Sequence, residues 1–204
     1  MQQSLTGEST IRVTIVDDHG IVRQGLRALL SRPGIEVVGE AESGSEAVRL
    51  AERVRTEVTE RFNLPLYGLR SVRGHWVAEG RPTTRTVFRR YIGARDLPVE
   101  FPGIRGFGLV ARVPRADLAG FLAAQRADDA PEFSVRTSGS APDLFVVTTI
   151  EPRHGNEEAI GFDLGSEPLR RQAVERAVET GEPALTGRIA LRQDQQHGPA
   201  YMYV

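Results

Sequence analysis

The stretch Val146–Ile189 leaves the chain few ways to fold. Val146–Ile150 is β-branched throughout and stops at Pro152, which reads as a strand with a hard end. Arg153-His154-Gly155-Asn156 is turn chemistry, and Ala159–Leu164 is expected to resume an extended chain. Ser166 then offers a helix N-cap, with Pro168 in the first turn, where its missing N–H costs nothing. Leu169, Ala173, Val174, Ala177 and Val178 recur at helical spacing, which predicts that Arg170, Arg171, Glu175 and Glu179 occupy the wet face. Gly181 and Pro183 end that helix, and Ala184–Leu191 reads as another strand. A helix must therefore cross over a sheet of short strands.

Upstream, the apolar residues Leu66, Leu69, Val72, Trp76 and Val77 keep helical spacing from Pro65 to Gly80. Thr83 or Thr84 caps a further helix carrying Val87, Phe88, Tyr91 and Ile92. Trp76 and Tyr91 at that spacing read as core rather than as ligand-stacking rings. Pro102–Gly108 is a glycine turn feeding a strand, outside the strand–turn–helix setting that a dinucleotide loop needs. Pro114–Arg126 is a helix, and Phe133–Thr137 with Leu144–Ile150 reads as a hairpin around Ser138–Pro142. The fold class expected from this order is α+β: helices first, then a mostly antiparallel sheet.

From Thr10 the pattern is different. Ile11–Val16 is a short strand ending in Asp17-Asp18-His19, and Ile21, Val22, Leu26, Leu29 and Leu30 form a helical face closed by Pro33-Gly34. Glu36–Ala41 is a second strand, and Gly44-Ser45 opens a second helix. Strand–helix–strand–helix predicts an incomplete parallel βαβα unit. Leu50, Ala51, Val54, Val58 and Phe62 hold helical spacing past Arg55, so one helix is expected to run through the join. The reading divides the chain into a disordered N-terminus at residues 1–9, a βαβα fragment at 10–55 and a sensory-type portion at 56–204.

Two resemblances sharpen this. The order I-E-P, N-x-x-A-x-G-x-D-L-x-S-E-P-x-R-R and T-G-x-x-A-L-T-G, preceded by Tyr91, Pro102–Gly108 and Arg112-Val113, resembles the CHASE family. These are extracytoplasmic ligand-sensing domains of histidine kinases, diguanylate cyclases and plant receptors. The resemblance implies a long helix with a PAS-like sheet, a small-molecule ligand, and a dimeric, membrane-anchored receptor in which a further strand and a membrane helix follow. It also implies that Glu151 and Thr186 contact the ligand. VTIVDDHGIVRQGLRALL and EVVGEAESGSEAVRLA resemble the first half of a two-component receiver. Such a domain holds Mg²⁺ on an acidic pair, here matched by Asp17 and Asp18, beside an acceptor Asp and a Lys. No Asp occurs between Asp18 and Asp96, and the sequence has no lysine, so the pair reads as a relic of a cation site.

Composition narrows the remaining classes. The net charge of −1 gives no electrostatic case for nucleic acid. Without cysteine there is no disulfide, thiolate nucleophile or Cys-ligated zinc. No apolar run approaches the ~20 residues of a membrane span, and MQQSLTGEST lacks a signal-peptide core, so the chain as given is expected to be soluble and cytoplasmic. Glu151, His154, Glu157, Glu158 and Asp163 fit no metal spacing and read as a solvated acidic loop. Arg170 and Arg171 read as surface residues paired with Glu167 or Glu175, rather than as an anion site. No nucleophile–base spacing is present, and no cofactor is expected. The reading is a non-catalytic sensory module; the alternative is a receiver-type protein that cannot be phosphorylated. Incubation with Mg²⁺ and acetyl phosphate is therefore expected to leave the intact mass unchanged, and a stable aspartyl-phosphate adduct would overturn that expectation.

Overall fold

A computed structural model describes residues 11–80, 83–191 and 200–204; the N-terminal residues expected to be disordered lie outside the described residues. Helix and strand are mixed in an α+β arrangement, and the chain divides into two compact units, Met1–Phe62 and Asn63–Val204. Strands β1 (Ile11–Val16) and β2 (Ile35–Ala41) pair in parallel, with helix α1 (Gly20–Leu30) between them in sequence. Helix α2 follows as one element, Gly44–Glu79, with Pro65 inside it. A helix break at Pro65 is not observed. The ring removes one N–H from the ladder, but the apolar stripe around it keeps its spacing.

The first unit has little interior. Among its described residues only Ile15 and Ala41 are buried apolar side chains, while Ile11, Ile21 and Leu29 stay exposed. Two strands and the helices beside them cannot cover both faces of a parallel sheet. Arg23 and Arg27 of α1 instead reach Glu40 of β2 at 3.5 and 2.5 Å; the more exposed Arg27 pair adds about 0–1 kcal/mol.

The second unit has its core around an antiparallel pair, β3 (Phe107–Pro114) and β4 (Asp143–Glu151). One isolated bridge, Val146 with Asp163, adds to this sheet; two others, Leu185 with Tyr203 and Ile189 with Ala200, join the last segments to each other, so Ala184–Leu191 is a paired segment rather than a full strand. Helix α3 (Arg85–Gly93) is capped by Thr84, whose hydroxyl accepts from Val87 N–H at 3.3 Å. With the short helix α4 (Leu97–Glu100) and the second half of α2, it packs Phe88, Ile92, Leu97, Leu69, Val72, Trp76 and Tyr91 around Phe107 and Leu109. Gly68 makes this possible: a Cβ there would collide with the Phe107 ring. Trp76 and Tyr91 are core, as their spacing requires. Helix α5 (Leu118–Ala127) sets Leu118, Phe121 and Leu122 against Val113, Leu144 and Val146.

Several sequence expectations are corrected here. Phe133–Thr137 makes no hairpin with β4, because β3 pairs along one edge and Gly161–Asp163 along the other; Arg136 bridges Phe162 instead. Ala159–Leu164 is not an extended strand but two 3₁₀ turns flanking Gly161-Phe162-Asp163. Gly161 has φ +78°, and a Cβ there would strike the carbonyl of Ser134. Asp163 does not belong to a solvated loop. It is 0% exposed, and its carboxylate accepts from Phe145 N–H (2.8 Å), Gly165 N–H (2.9 Å), Thr137 Oγ1 (2.7 Å) and Ser166 Oγ (3.1 Å). Ser166 is thereby diverted from the capping role, and Glu167 precedes helix α6 (Pro168–Thr180) without a side-chain cap. Gly181 ends α6 in the left-handed conformation.

The two units should differ in local stability, since protection follows burial and contact. Amide hydrogen exchange is expected to be faster in Ile11–Val16 than in Val146–Ile150; equal protection would show that the first unit is covered.

Candidate functional site

The β3–β4 pair presents two faces with different surroundings. On one, Val110, Phe145 and Val147 meet Phe162, Leu164 and Val174 of α6, joined by Met202 and Val204. On the other lie α3, α4 and α5. The register is broken once. Leu109 faces Thr149 while Val110 faces Val147, so β4 holds one extra residue, Thr148. Side chains alternate along a strand, and a bulge reverses the phase beyond it. Ile150 therefore shares the face of Val147, and Glu151 points to the opposite face with its neighbour Phe107.

Each face has its own recess. A cavity of ≈ 490 Å³ is lined by Val110, Val147, Ile150, Phe162, Leu164 and Met202, among others, with Asn156, Glu158 and Arg170 as polar members. Across the sheet, a cleft of ≈ 560 Å³ is lined by Arg89, Ile92, Arg95, Asp96 and Glu151. The side chain of Glu151 is buried, 7% exposed overall, and its Oε1 lies 3.4 Å from Arg89 Nε. It thus stands apart from the exposed His154, Glu157 and Glu158, with which its sequence position grouped it. Hydrogen bonds from backbone N–H groups hold the Glu157 carboxyl below the usual range, the expected behaviour of a carboxylate in a turn.

Thr186 is placed elsewhere. Its N–H donates to Met202 O at 2.8 Å and its Oγ1 accepts from Met202 N–H at 3.0 Å, so it anchors the segment that carries Tyr201, Met202 and Tyr203 to the cavity wall. Of the two, Glu151 lines the cleft, and Thr186 lines neither the cleft nor the cavity directly. Asp17, Asp18 and His19 gather in the first unit, where His19 Nδ1 is 2.7 Å from Asp18 Oδ1 and 3.4 Å from Asp17 Oδ1.

Arg170 and Arg171 do pair with Glu167 (2.8 Å) and Glu175 (2.9 Å), yet neither lies on a wet face. Arg170 is 5% exposed, covers the Phe162 ring and donates to Ala190 O at 2.8 Å. Arg171 covers Phe145 and donates to Gly165 O and Asp143 O at 2.7 and 3.0 Å. Hydropathy counting misses such residues, because a guanidinium can be buried when carbonyls and aromatic faces receive it. The same holds for Arg85, the buried first residue of α3, whose guanidinium burial pushes below its ordinary range.

The CHASE domain family matches residues 82–204, and the chain belongs to that family. The N-terminal part matches receiver-type response regulators. The transcriptional regulatory protein LiaR of Bacillus subtilis is 55% identical over 49 residues, 24% of this chain and 23% of LiaR. A protein-glutamate methylesterase/protein-glutamine glutaminase of Alkalilimnicola ehrlichii is 37% identical over 91 residues, 42% of this chain and 23% of that protein. DegU of Brevibacillus brevis is 27% identical over 125 residues, 60% of this chain and 48% of DegU. The chain thus spans less than half the length of each of these relatives. No helix among the described residues is long and apolar enough to cross a membrane.

The end of β4 is held by close packing. Asn156, 3% exposed, donates through Nδ2 to Arg105 O (3.1 Å) and Pro152 O (2.9 Å), and a Cβ on Gly106 would stand 2.7 Å from Glu151 O. Gly106→Ala is expected to lower stability by about 1–3 kcal/mol in urea unfolding, the usual cost of overpacking. Gly120→Ala, with nothing within 4 Å of the added methyl, serves as the control and should not destabilise.

Proposed function

We propose that this chain is a non-catalytic input module that senses a small molecule for a bacterial signal-transduction receptor of the histidine kinase or diguanylate cyclase type. The observation that carries the reading is the CHASE match over residues 82–204, which includes the β3–β4 sheet, the cleft, and all of the cavity lining except Pro65 and Leu69. The cavity on the Val147 face has the character of a ligand site: concave, mostly apolar, and supplied with a few polar groups. The family resemblance points to Glu151 and Thr186 as ligand contacts, and Glu151 opens onto the other face. The first unit, similar to receivers over its strand–helix–strand–helix, contributes no phosphoryl acceptor at the matched position; a phosphorylation-incompetent receiver-type protein is the second reading.

Small molecules that bind the folded chain should raise its melting temperature by mass action. With such a binder in hand, Ile150→Trp fills the cavity, while Glu151→Gln and Thr186→Val each remove one polar contact. Loss of a hydrogen bond to a charged group is expected to weaken binding by about 1.5–3 kcal/mol. Binding abolished by Ile150→Trp and kept by Glu151→Gln assigns the ligand to the cavity, and the reverse assigns it to the cleft. Binding unaffected by all three substitutions would overturn the reading of this sheet as the sensory site.

A further inference from the structure

The bulge at Thr148 decides which residues each recess receives, and something must hold it. A residue added to one strand leaves its backbone groups without partners across the ladder. Thr148 uses its own hydroxyl to donate to Leu109 O at 3.1 Å. Its carbonyl is met from another element: Arg85 Nη2 donates to Thr148 O at 2.9 Å.

Arg85 is built for this contact. Nη1 donates to Gln125 O at 3.0 Å and to Asp128 O at 2.8 Å, and Nη2 also donates to Gln125 Oε1 at 2.7 Å. Its backbone N–H donates to Asp128 Oδ2 at 3.1 Å, and the guanidinium lies over the Phe133 ring. The side chain is 6% exposed, so the fork is fixed by groups from α5 and the residues after it before it reaches β4. A rigid planar donor held on one side delivers its remaining N–H in one direction.

We propose that Arg85 is a positioning residue: it fixes the β4 bulge and thereby decides that Ile150 faces the apolar cavity while Glu151 faces the Arg89 cleft. Without it, the end of β4 slides by one residue to restore a regular ladder. Leu109 then faces Thr148, Gly108 faces Thr149, and Phe107 faces Ile150. Ile150 and Glu151 exchange faces, since a one-residue slip turns every side chain over.

The test reads backbone pairing and needs no ligand, so its failure is separate from failure of the sensory reading. Cross-strand NOEs in the full chain are expected between Leu109 and Thr149 and between Gly108 and Ile150. In Arg85→Met, which keeps bulk and removes the donors, these should be replaced by Leu109–Thr148 and Gly108–Thr149 pairs. Native pairing in a folded Arg85→Met variant overturns the proposal. If that variant does not fold, Arg85→Lys is read in the same way. It retains charge and loses the fork, so exchange broadening of Gly108, Leu109 and Ile150 between two registers is expected, and sharp native pairing overturns the proposal.

Discussion

The second unit is gathered around one buried carboxylate. Asp163 has no solvent to share its charge, and four donors from three stretches of chain replace that solvent: Phe145 in β4, Thr137 before the Ser138–Pro142 turn, and Gly165 with Ser166 ahead of α6. An isolated buried charge costs several kcal/mol, so those stretches must arrive together or the carboxylate stays in water. Its own N–H donates to Arg136 O at 3.0 Å, which ties the same segment a second time. The turn before α6 is thereby set, and with it the angle at which Val174 enters the core and Arg171 reaches Gly165 O and Asp143 O.

Arginines do comparable work throughout this lysine-free chain. Arg85, Arg170 and Arg171 each lie over an aromatic ring and donate to backbone carbonyls. A lysine could neutralise a charge in these places, but its single ammonium could not serve several carbonyls in one plane. The two units contrast on this point. In the first, Arg23 and Arg27 also pair with Glu40, but on a sheet that buries almost no apolar side chain.

The site follows from sheet geometry. Two strands in antiparallel register give two faces, and near the end of β4 each face opens onto a recess. A single extra residue then distributes the side chains between them. Cavity and cleft are thus coupled through the backbone of β4. Any change in pairing near Thr148 alters the lining of both, while the Asp163 cluster at the other end of the strand keeps Phe145 in place.

Local chemistry determined much of this in the sequence. The α+β class, the Thr84 cap, the Gly181 stop, the core placement of Trp76 and Tyr91, and the helix continuing past Arg55 all rest on spacing or on single-residue preferences, which act within a few residues. The family resemblance was equally legible, since its motifs are contiguous, and so was the missing receiver Asp. What tertiary structure alone decided is pairing and burial of polar groups. Ser166 could have capped α6, but Asp163 claims its hydroxyl. Phe133–Thr137 could have paired with β4, but β3 holds one edge and Gly161–Asp163 the other. Glu151 could have shared a wall with Val147, yet the carbonyl of Thr148 finds Arg85, 63 residues earlier in the chain, and the strand turns Glu151 to the other side. Such outcomes depend on which donors meet which acceptors across the fold, a competition that no local pattern encodes.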